Sequence, residues 1–268
     1  MTAIAVTIAG SDSSGGAGIQ ADLKTFSALG VYGASIITAL TAQNTRGVTG
    51  IHDVPPDFVA AQMDAVFSDL KVDAVKIGML SSRAIIEAVA TGLDRQRAKN
   101  IVLDPVMVAT SGDRLLAPDA VDALRNSLIA RALIVTPNLP EAAALADAPL
   151  ARTEAEMEAQ ARAILRLGVR YVLIKGGHGG GDESVDLMIG GDGVVRLLAK
   201  RIDTKKTHGT GCTLSSAIAA HLARGLDVVA AAHAAKTYVT NAIAAADRLD
   251  VGSGHGPLHH FHAHWKAP

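Results

Sequence analysis

Short apolar runs of strand type alternate with segments of helical periodicity along most of this chain. The strand-type runs occupy residues 3–9, 33–40, 74–77, 100–104, 132–135 and 171–175. Apolar residues recur at helical spacing over residues 19–29, 58–70, 84–93, 120–129 and 154–167, and after Asn138. Because strand–helix alternation implies right-handed crossovers, it predicts an α/β fold in which a mainly parallel sheet lies between two layers of helices.

The last third of the chain departs from this alternation. Residues 184–189 and 194–199 flank a Gly-Gly-Asp-Gly turn and predict a small antiparallel hairpin, the one clear antiparallel signal. Residues 213–224 and 228–246 are rich in alanine and predict two helices. No low-complexity linker divides the chain, so we expect one domain over residues 1–268.

The composition favours a small-molecule partner. Lysine and arginine number 25 against 26 acidic residues, and aromatic residues make up only 3% of the chain. Such a balance gives no electrostatic footprint for nucleic acid or for a membrane surface. One cysteine excludes an intrachain disulfide framework and a zinc site built on several cysteines.

Two apolar stretches could be mistaken for membrane or export signals. The N-terminal run lacks a basic region and reaches Asp12 early, which is not the pattern of a signal peptide. Residues 26–45 carry no charge, but glycines and polar side chains interrupt them. We interpret this stretch as a helix end followed by a fully buried strand, and we expect a cytoplasmic protein.

Glycine and polar residues follow six of the predicted strands. They occupy residues 10–18, 41–44, 78–79, 104–107, 138–141 and 175–177. In open α/β sheets, ligands bind outside the carboxyl ends of the strands. The sequence therefore predicts that these six segments meet around one ligand site.

Residues 208–212 (His-Gly-Thr-Gly-Cys) open a predicted buried helix. A helix N-terminus gathers unpaired N–H groups and the positive end of the macrodipole, which together suit an anion such as a phosphoryl group. Cys212, the only cysteine, lies in the first turn, where the helix should favour the thiolate and lower its pKa. The alternative is an ordinary glycine-rich helix start with a packed cysteine.

Residues 16–21 match the dinucleotide fingerprint G-x-G-x-x-[GA], which makes an NAD-dependent oxidoreductase a remote alternative. The match is weak, because residues 11–15 separate it from the preceding strand. The second strand also ends without an acid to bind a ribose. A P-loop motif is absent from the sequence.

Residues 10–22 and 208–212 together resemble the hydroxymethylpyrimidine/phosphomethylpyrimidine kinases of thiamine biosynthesis, members of the ribokinase-like superfamily. The resemblance extends over residues 76–80, 104–107, 138–141, 175–178 and 254–261. It implies a three-layer α/β/α ribokinase-like fold and a homodimer. It also implies that ATP, with Mg²⁺, phosphorylates the hydroxymethyl group of 4-amino-5-hydroxymethyl-2-methylpyrimidine and then the monophosphate.

The resemblance implies a catalytic centre around Cys212. Cys212 would accept the proton of the hydroxymethyl group, while Lys175 and the amides of Gly209 and Gly211 would stabilise the transferring phosphoryl group. The phosphates would contact Lys175, Thr210, Asn138 and Glu141, and Mg²⁺ would be held by Glu141 and Asp104. For Asp104, a helix-cap or turn role before Pro105 remains an alternative.

The pyrimidine would be recognised chiefly by Gln43, whose amide offers both a donor and an acceptor to an aminopyrimidine. Met79 and Val106 would sandwich the ring, and Gly10 and Asp22 would border it. Ordinary core packing is the alternative for Met79 and Val106.

Three matters stay open at the level of sequence. A pyridoxal kinase is the nearest alternative activity, although a pyridine has no amino group to match Gln43. A passive binding protein would keep the pocket without needing Cys212 or Lys175. His208 and His178 are interpreted as satisfied loop histidines, and the five histidines over residues 255–264 have no assigned role.

Overall fold

The computed structural model describes residues 1–107, 118–177, 182–191 and 193–265. The strands are β1 Ile4–Ala9, β2 Tyr32–Ile37, β3 Ala39–Asn44, β4 Gly47–Asp53, β5 Ala74–Ile77, β6 Ile101–Leu103, β7 Ile134–Val135, β8 Tyr171–Ile174, β9 Glu183–Gly190 and β10 Gly193–Lys200. The helices are α1 Gly18–Ala28, α2 Pro56–Asp69, α3 Arg83–Arg95, α4 Pro118–Ala123, α5 Leu139–Ala146, α6 Glu154–Leu165, α7 Thr210–Ala223 and α8 Val228–Ala244.

Eight strands form one sheet in the order β10-β9-β8-β7-β6-β5-β1-β2. The six strands from β8 to β2 are parallel, whereas β9 and β10 pair in antiparallel fashion beside β8. The predicted α/β class, the mainly parallel sheet and the hairpin are thus confirmed.

A separate hydrophobic core lies on each face of the sheet. In β5, successive side chains alternate between faces, so Val75 and Ile77 join the core under α2 to α6. Ala74 joins the core under α1, α7 and α8. Lys76 shares the face of Ala74, which places a buried lysine beneath α1 and α7. Two helical layers around one sheet confirm the predicted three-layer arrangement.

The prediction of one fully buried strand over residues 33–40 was wrong. The chain instead forms β2 at the edge of the main sheet and β3, which pairs with β4 in a second, two-stranded sheet. The two strands are separated at Thr38. Its amide donates a hydrogen bond to Ala9 O, and its hydroxyl donates one to Met79 O. Because β2 is an edge strand with a neighbouring strand on one side only, most of its residues are half-buried.

Helix α7 begins three residues before its predicted start at residue 213. Gly209, with a φ of 83°, caps the helix in a left-handed conformation that glycine adopts without strain. Within the described part of the chain, none of the helices combines the length and apolarity needed to cross a bilayer.

Candidate active site

A cavity of about 1040 Å³ lies at the carboxyl ends of the parallel strands. It takes residues from all six predicted segments, namely Gly10, Asp12, Gly18, Gln43, Met79, Asp104, Val106, Asn138, Glu141, Lys175 and Gly177. The first turn of α7 closes it with Gly209, Thr210, Gly211 and Cys212. The six predicted segments therefore meet around one cavity, and its use as a ligand site stays a prediction.

The N-terminus of α7 faces this cavity with amides that the helix itself does not use. The first intrahelical hydrogen bond runs from Thr213 N to Gly209 O at 2.9 Å, so the amides of Gly211 and Cys212 precede the helical ladder. Thr210 turns its hydroxyl to Thr207 O at 2.7 Å, which fixes the turn before the helix. The helix start can therefore bind an anion.

Lys175 lies directly against this helix start. A Cβ added to Gly211 would come within 3.2 Å of Lys175 Nζ and 3.5 Å of Asp104 Oδ2. The ammonium is 2.9 Å from Asp104 Oδ1 and 3.8 Å from Glu141 Oε2. Burial alone would lower the pKa of Lys175, but Asp104 and Glu141 raise it above the ordinary value. The site thus holds a permanent positive charge next to the free amides.

We expect Gly211→Ala to weaken ATP binding roughly tenfold or more, which corresponds to about 1.4 kcal/mol. The added methyl group would occupy the space between the amides and Lys175. The free energy of unfolding should not fall, since alanine favours a helix over glycine. Calorimetric ATP titration and thermal unfolding measure the two effects. Gly191→Ala is the matched control, because its Cβ would meet nothing within 4 Å; equal ATP affinity in both variants would contradict the prediction.

Asn138 and Glu141 form a capping box at the start of α5. Asn138 Oδ1 accepts from Glu141 N at 2.9 Å, and Glu141 Oε2 accepts from Asn138 N at 2.8 Å. Burial raises the pKa of Glu141 to about 7, against the opposite effect of Lys175. Asp104 accepts from Lys175 and, at 3.2 Å, from Thr136 Oγ1, so its carboxylate belongs to the site rather than to a local turn.

Asp104 and Glu141 fit a Mg²⁺ site in which phosphate oxygens supply further ligands. No group of three or more His, Cys, Asp or Glu side chains that could hold a metal occurs among the described residues. Mg²⁺ is commonly bound by one or two carboxylates together with substrate phosphates and water. Asp104 and Glu141 supply such hard oxygens on either side of Lys175.

Gln43, Met79, Val106 and Gly10 line the same cavity, as predicted. A Cβ on Gly10 would come within 3.2 Å of Met79 Cε, so glycine at this position leaves room for the end of the methionine side chain. Gln43 follows a bulge in β3 and accepts from Thr41 Oγ1 at 3.2 Å. Its Nε2 is 3.5 Å from His208 Nε2.

Asp22, by contrast, is not among the residues that line the cavity. It is fully buried, and its carboxylate pairs with Lys76 at 2.8 Å and accepts from Thr7 and Ser216 at 2.6 Å. The expectation that Asp22 borders a pyrimidine is corrected here, because α1 turns this side chain toward β5 and α7.

The expected low pKa of Cys212 is also corrected. Burial raises the pKa of the Cys212 thiol to about 11, and the nearby carboxylates of Asp22 and Asp104 act in the same direction. Lys76 and a hydrogen bond from the Gly18 amide oppose this shift without overcoming it. The position of Cys212 at the helix N-terminus did not predict its pKa correctly. Desolvation of the thiolate raises the pKa more than the helix N-terminus lowers it.

Asp12 is a site residue that the sequence reasoning missed. Its carboxylate accepts from Ser14, Gly16 and Ala17 amides and lies 2.8 Å from His208 Nε2. Burial would raise the pKa of Asp12, but these hydrogen bonds, led by that of His208, lower it to about 2. An aspartate in a Ser/Gly loop is a signal for such an Asx turn. The satisfied state predicted for His208 is confirmed, while His178 lies outside the described residues.

The histidine-rich segment packs behind the helix start. His208 N donates to Gly256 O at 3.1 Å, and Thr213 Oγ1 lies 3.0 Å from His260 Nε2. Burial lowers the pKa of His260 to about 3, so this ring stays neutral. The segment therefore supports the loop before α7.

The chain is similar to known kinases over nearly its whole length. The family model described as phosphomethylpyrimidine kinase matches residues 12–259. A hydroxymethylpyrimidine/phosphomethylpyrimidine kinase from Rhizobium meliloti (strain 1021) is 64% identical, covering 99% of this chain and 100% of the relative. One from Escherichia coli (strain K12) is 57% identical, covering 97% and 98%. An ADP complex of Bacillus subtilis pyridoxal kinase is 38% identical with a TM-score of 0.91, covering 99% and 100%.

Proposed function

The chain belongs to the phosphomethylpyrimidine kinase family, and from this premise we propose that it transfers the γ-phosphoryl group of ATP to 4-amino-5-hydroxymethyl-2-methylpyrimidine and then to its monophosphate, in thiamine biosynthesis. One observation carries the proposal. A single cavity contains the free amides of α7, the ammonium of Lys175, the thiol of Cys212 and the amide of Gln43. The first two suit a phosphoryl group, and the last two suit a hydroxymethyl group on an aminopyrimidine.

In the proposed reaction, Cys212 takes up one proton. The O–H bond of the hydroxymethyl group breaks as the proton passes to the Sγ thiolate, and the oxygen forms a bond to the γ-phosphorus. The bond from that phosphorus to the leaving ADP oxygen breaks at the same time. The amides of Gly211 and Cys212, with Lys175, stabilise charge on the transferring group. When bound, Mg²⁺ would neutralise phosphate charge, held by Asp104 and Glu141.

Release of ADP with each candidate substrate tests the proposal. The purified protein should release ADP with the hydroxymethylpyrimidine and with its monophosphate, and at a lower rate with pyridoxal. Faster turnover of pyridoxal would support the pyridoxal kinase alternative, which the likeness to the Bacillus subtilis enzyme brings forward. Binding of the pyrimidine without any ADP release would identify a passive binding protein.

We expect Gln43→Met to lower kcat/KM for the pyrimidine roughly tenfold to a hundredfold, because an unpaired buried polar edge costs about 1–3 kcal/mol. The two side chains are similar in volume, and the hydrogen bonds of the Gln43 backbone to Ser13 remain. Activity on pyridoxal should fall less or rise. Parallel measurement of kcat/KM on both substrates decides the matter, and equal losses would remove Gln43 from the specificity argument.

We also propose that the protein is one kinase domain that forms a homodimer. The cavity draws on residues from Ala9 to Ile243 around one sheet, which supports a single domain. Leu40 in β3 is 47% exposed on the second sheet, and a second copy of the chain would cover it. Light scattering should give twice the 27.5 kDa chain mass. Leu40→Lys should give the monomer mass; an unchanged dimer would place the interface elsewhere.

A further inference from the structure

A buried ion pair lies one helical turn from Cys212. Lys76 Nζ is 2.8 Å and 3.0 Å from the two carboxylate oxygens of Asp22, and neither side chain is exposed. The hydroxyls of Thr7 and Ser216 each donate to Asp22 at 2.6 Å. Strand β5 and helices α1 and α7 thus meet at this pair.

The pair and Cys212 occupy two stacked layers between α1 and α7. The Gly18 amide donates to the Cys212 thiol in the upper layer. Asp22 and Ser216 bond in the lower layer, each one turn further along its helix. Lys76 rises from β5 into this space and lines the cavity together with Cys212.

The lysine is held in this place by its surroundings. A Cβ on Gly78 would come within 2.6 Å of Lys76 Nζ, so the ammonium fills the space that glycine leaves. Burial would lower the pKa of Lys76, but Asp22, with Cys212 and Asp104, raises it above the ordinary value. A fixed positive charge therefore lies below the cysteine.

A buried ion pair commonly adds little to stability compared with apolar residues in the same place. Replacing a buried ion pair with apolar residues of similar volume is often neutral or stabilising. In the proposed reaction, a nearby positive charge favours the form of Cys212 that accepts a proton. Cys212 must be a thiolate to accept a proton, and its half-buried position opposes the charged form.

We propose that Lys76, clamped by Asp22, is a positioning residue that supplies the positive charge beneath the Cys212 thiolate. The inference rests on the proposed function, in which Cys212 accepts the hydroxyl proton. Within the described part of the chain, the charged groups that act on the thiol include Lys76 from β5, Lys175 after β8, Asp22 from α1 and Asp104 after β6. Lys76 lowers the pKa of Cys212 more than Asp22 raises it, so the ion pair as a whole favours the thiolate.

The single cysteine allows a direct test, because every thiol signal of the chain comes from Cys212. The pH dependence of thiolate absorbance and of iodoacetamide alkylation is measured without ATP, Mg²⁺ or pyrimidine. By removing one close opposite charge, Lys76→Met should raise the pKa of the thiol, which should slow alkylation at a fixed pH of about 9 roughly tenfold or more. The double variant Lys76→Met/Asp22→Asn should raise it by less, and it avoids an unpaired carboxylate that could prevent folding.

Lys236→Met/Asp186→Asn is the matched control. It removes another buried ion pair of the cavity wall, with an Nζ to Oδ2 distance of 2.7 Å, and should leave the thiol pKa unchanged. With ATP and the hydroxymethylpyrimidine, the Lys76 and Asp22 double variant should lower kcat at neutral pH while KM changes little. An unmoved or lowered thiol pKa in an active double variant would overturn the inference. A wild-type protein that releases no ADP would instead overturn the proposed function.

Discussion

Cys212→Ser should reduce kcat on the hydroxymethylpyrimidine about 10²–10⁴-fold, the usual contribution of a positioned general base. A serine hydroxyl cannot accept the proton at working pH, whereas its size leaves the first turn of α7 intact. ATP affinity should stay close to that of the wild type, because the α7 amides and Lys175 are unchanged. Single-turnover kinetics and ATP titration measure the two effects.

The pH profile adds a second criterion for Cys212. Since the pKa of the thiol is raised to about 11, the wild-type rate should rise with pH on the alkaline side. The sequence had instead predicted a thiol pKa below the ordinary value of about 8.5, and a rise in rate at lower pH. Cys212→Asp should keep part of the activity and lose this alkaline rise, because a carboxylate is already ionised there. A serine variant with a near wild-type rate and profile would leave the amides and Lys175 as the whole catalytic apparatus.

Lys175→Met should lower kcat about 10²–10³-fold, as expected for the loss of one group that stabilises transition-state charge. KM for ATP should change less, since the charge matters most as it develops on the phosphoryl oxygens. A collapse of ATP affinity with kcat intact would contradict this role. Steady-state kinetics with varied ATP separate the two results.

The same variant should destabilise the fold by about 3 kcal/mol at pH 8, because Asp104 and Glu141 lose their buried cation. Lys175 also lowers the pKa of Glu141, so without it that pKa rises above about 7. The folded state then binds a proton that the unfolded state releases, and stability must fall as pH rises through this range. Urea unfolding at pH 6 and pH 8 measures the trend. Arg131→Met, which breaks an exposed ion pair with Asp94, is the control and should change stability by about 1 kcal/mol or less.

The sequence predicted the parts of the fold that local patterns determine. Strand β5 was predicted with its observed limits, 74–77, because a run of four residues with β-branched Val75 and Ile77 is too short for a helix. Strand β4 was missed because Gly47 and Gly50, with mixed polar neighbours, give no strand pattern. It forms only because β3 is present to pair with it.

Within the site, the sequence predicted which residues meet but not always how they are used. Lys175, Glu141 and Asp104 were predicted together from strand ends, and they lie within ion-pair distance. The direction in which Asp22 points depends on Lys76 from another element, which no local pattern reports. The pKa of Cys212 likewise depends on burial and on distant charges.

The contacts around His208 have a consequence for folding kinetics. Asp12 and His208 are 196 residues apart, and the His208 amide is held by Gly256 near the other end of the described chain. Contacts of such long sequence separation form late, because closing the loop between the two residues costs conformational entropy. Other contacts offset this cost only when most of the sheet has formed. The catalytic geometry should therefore be among the last features to appear during refolding. Return of activity would then report completion of the whole fold, lagging behind the recovery of helical signal.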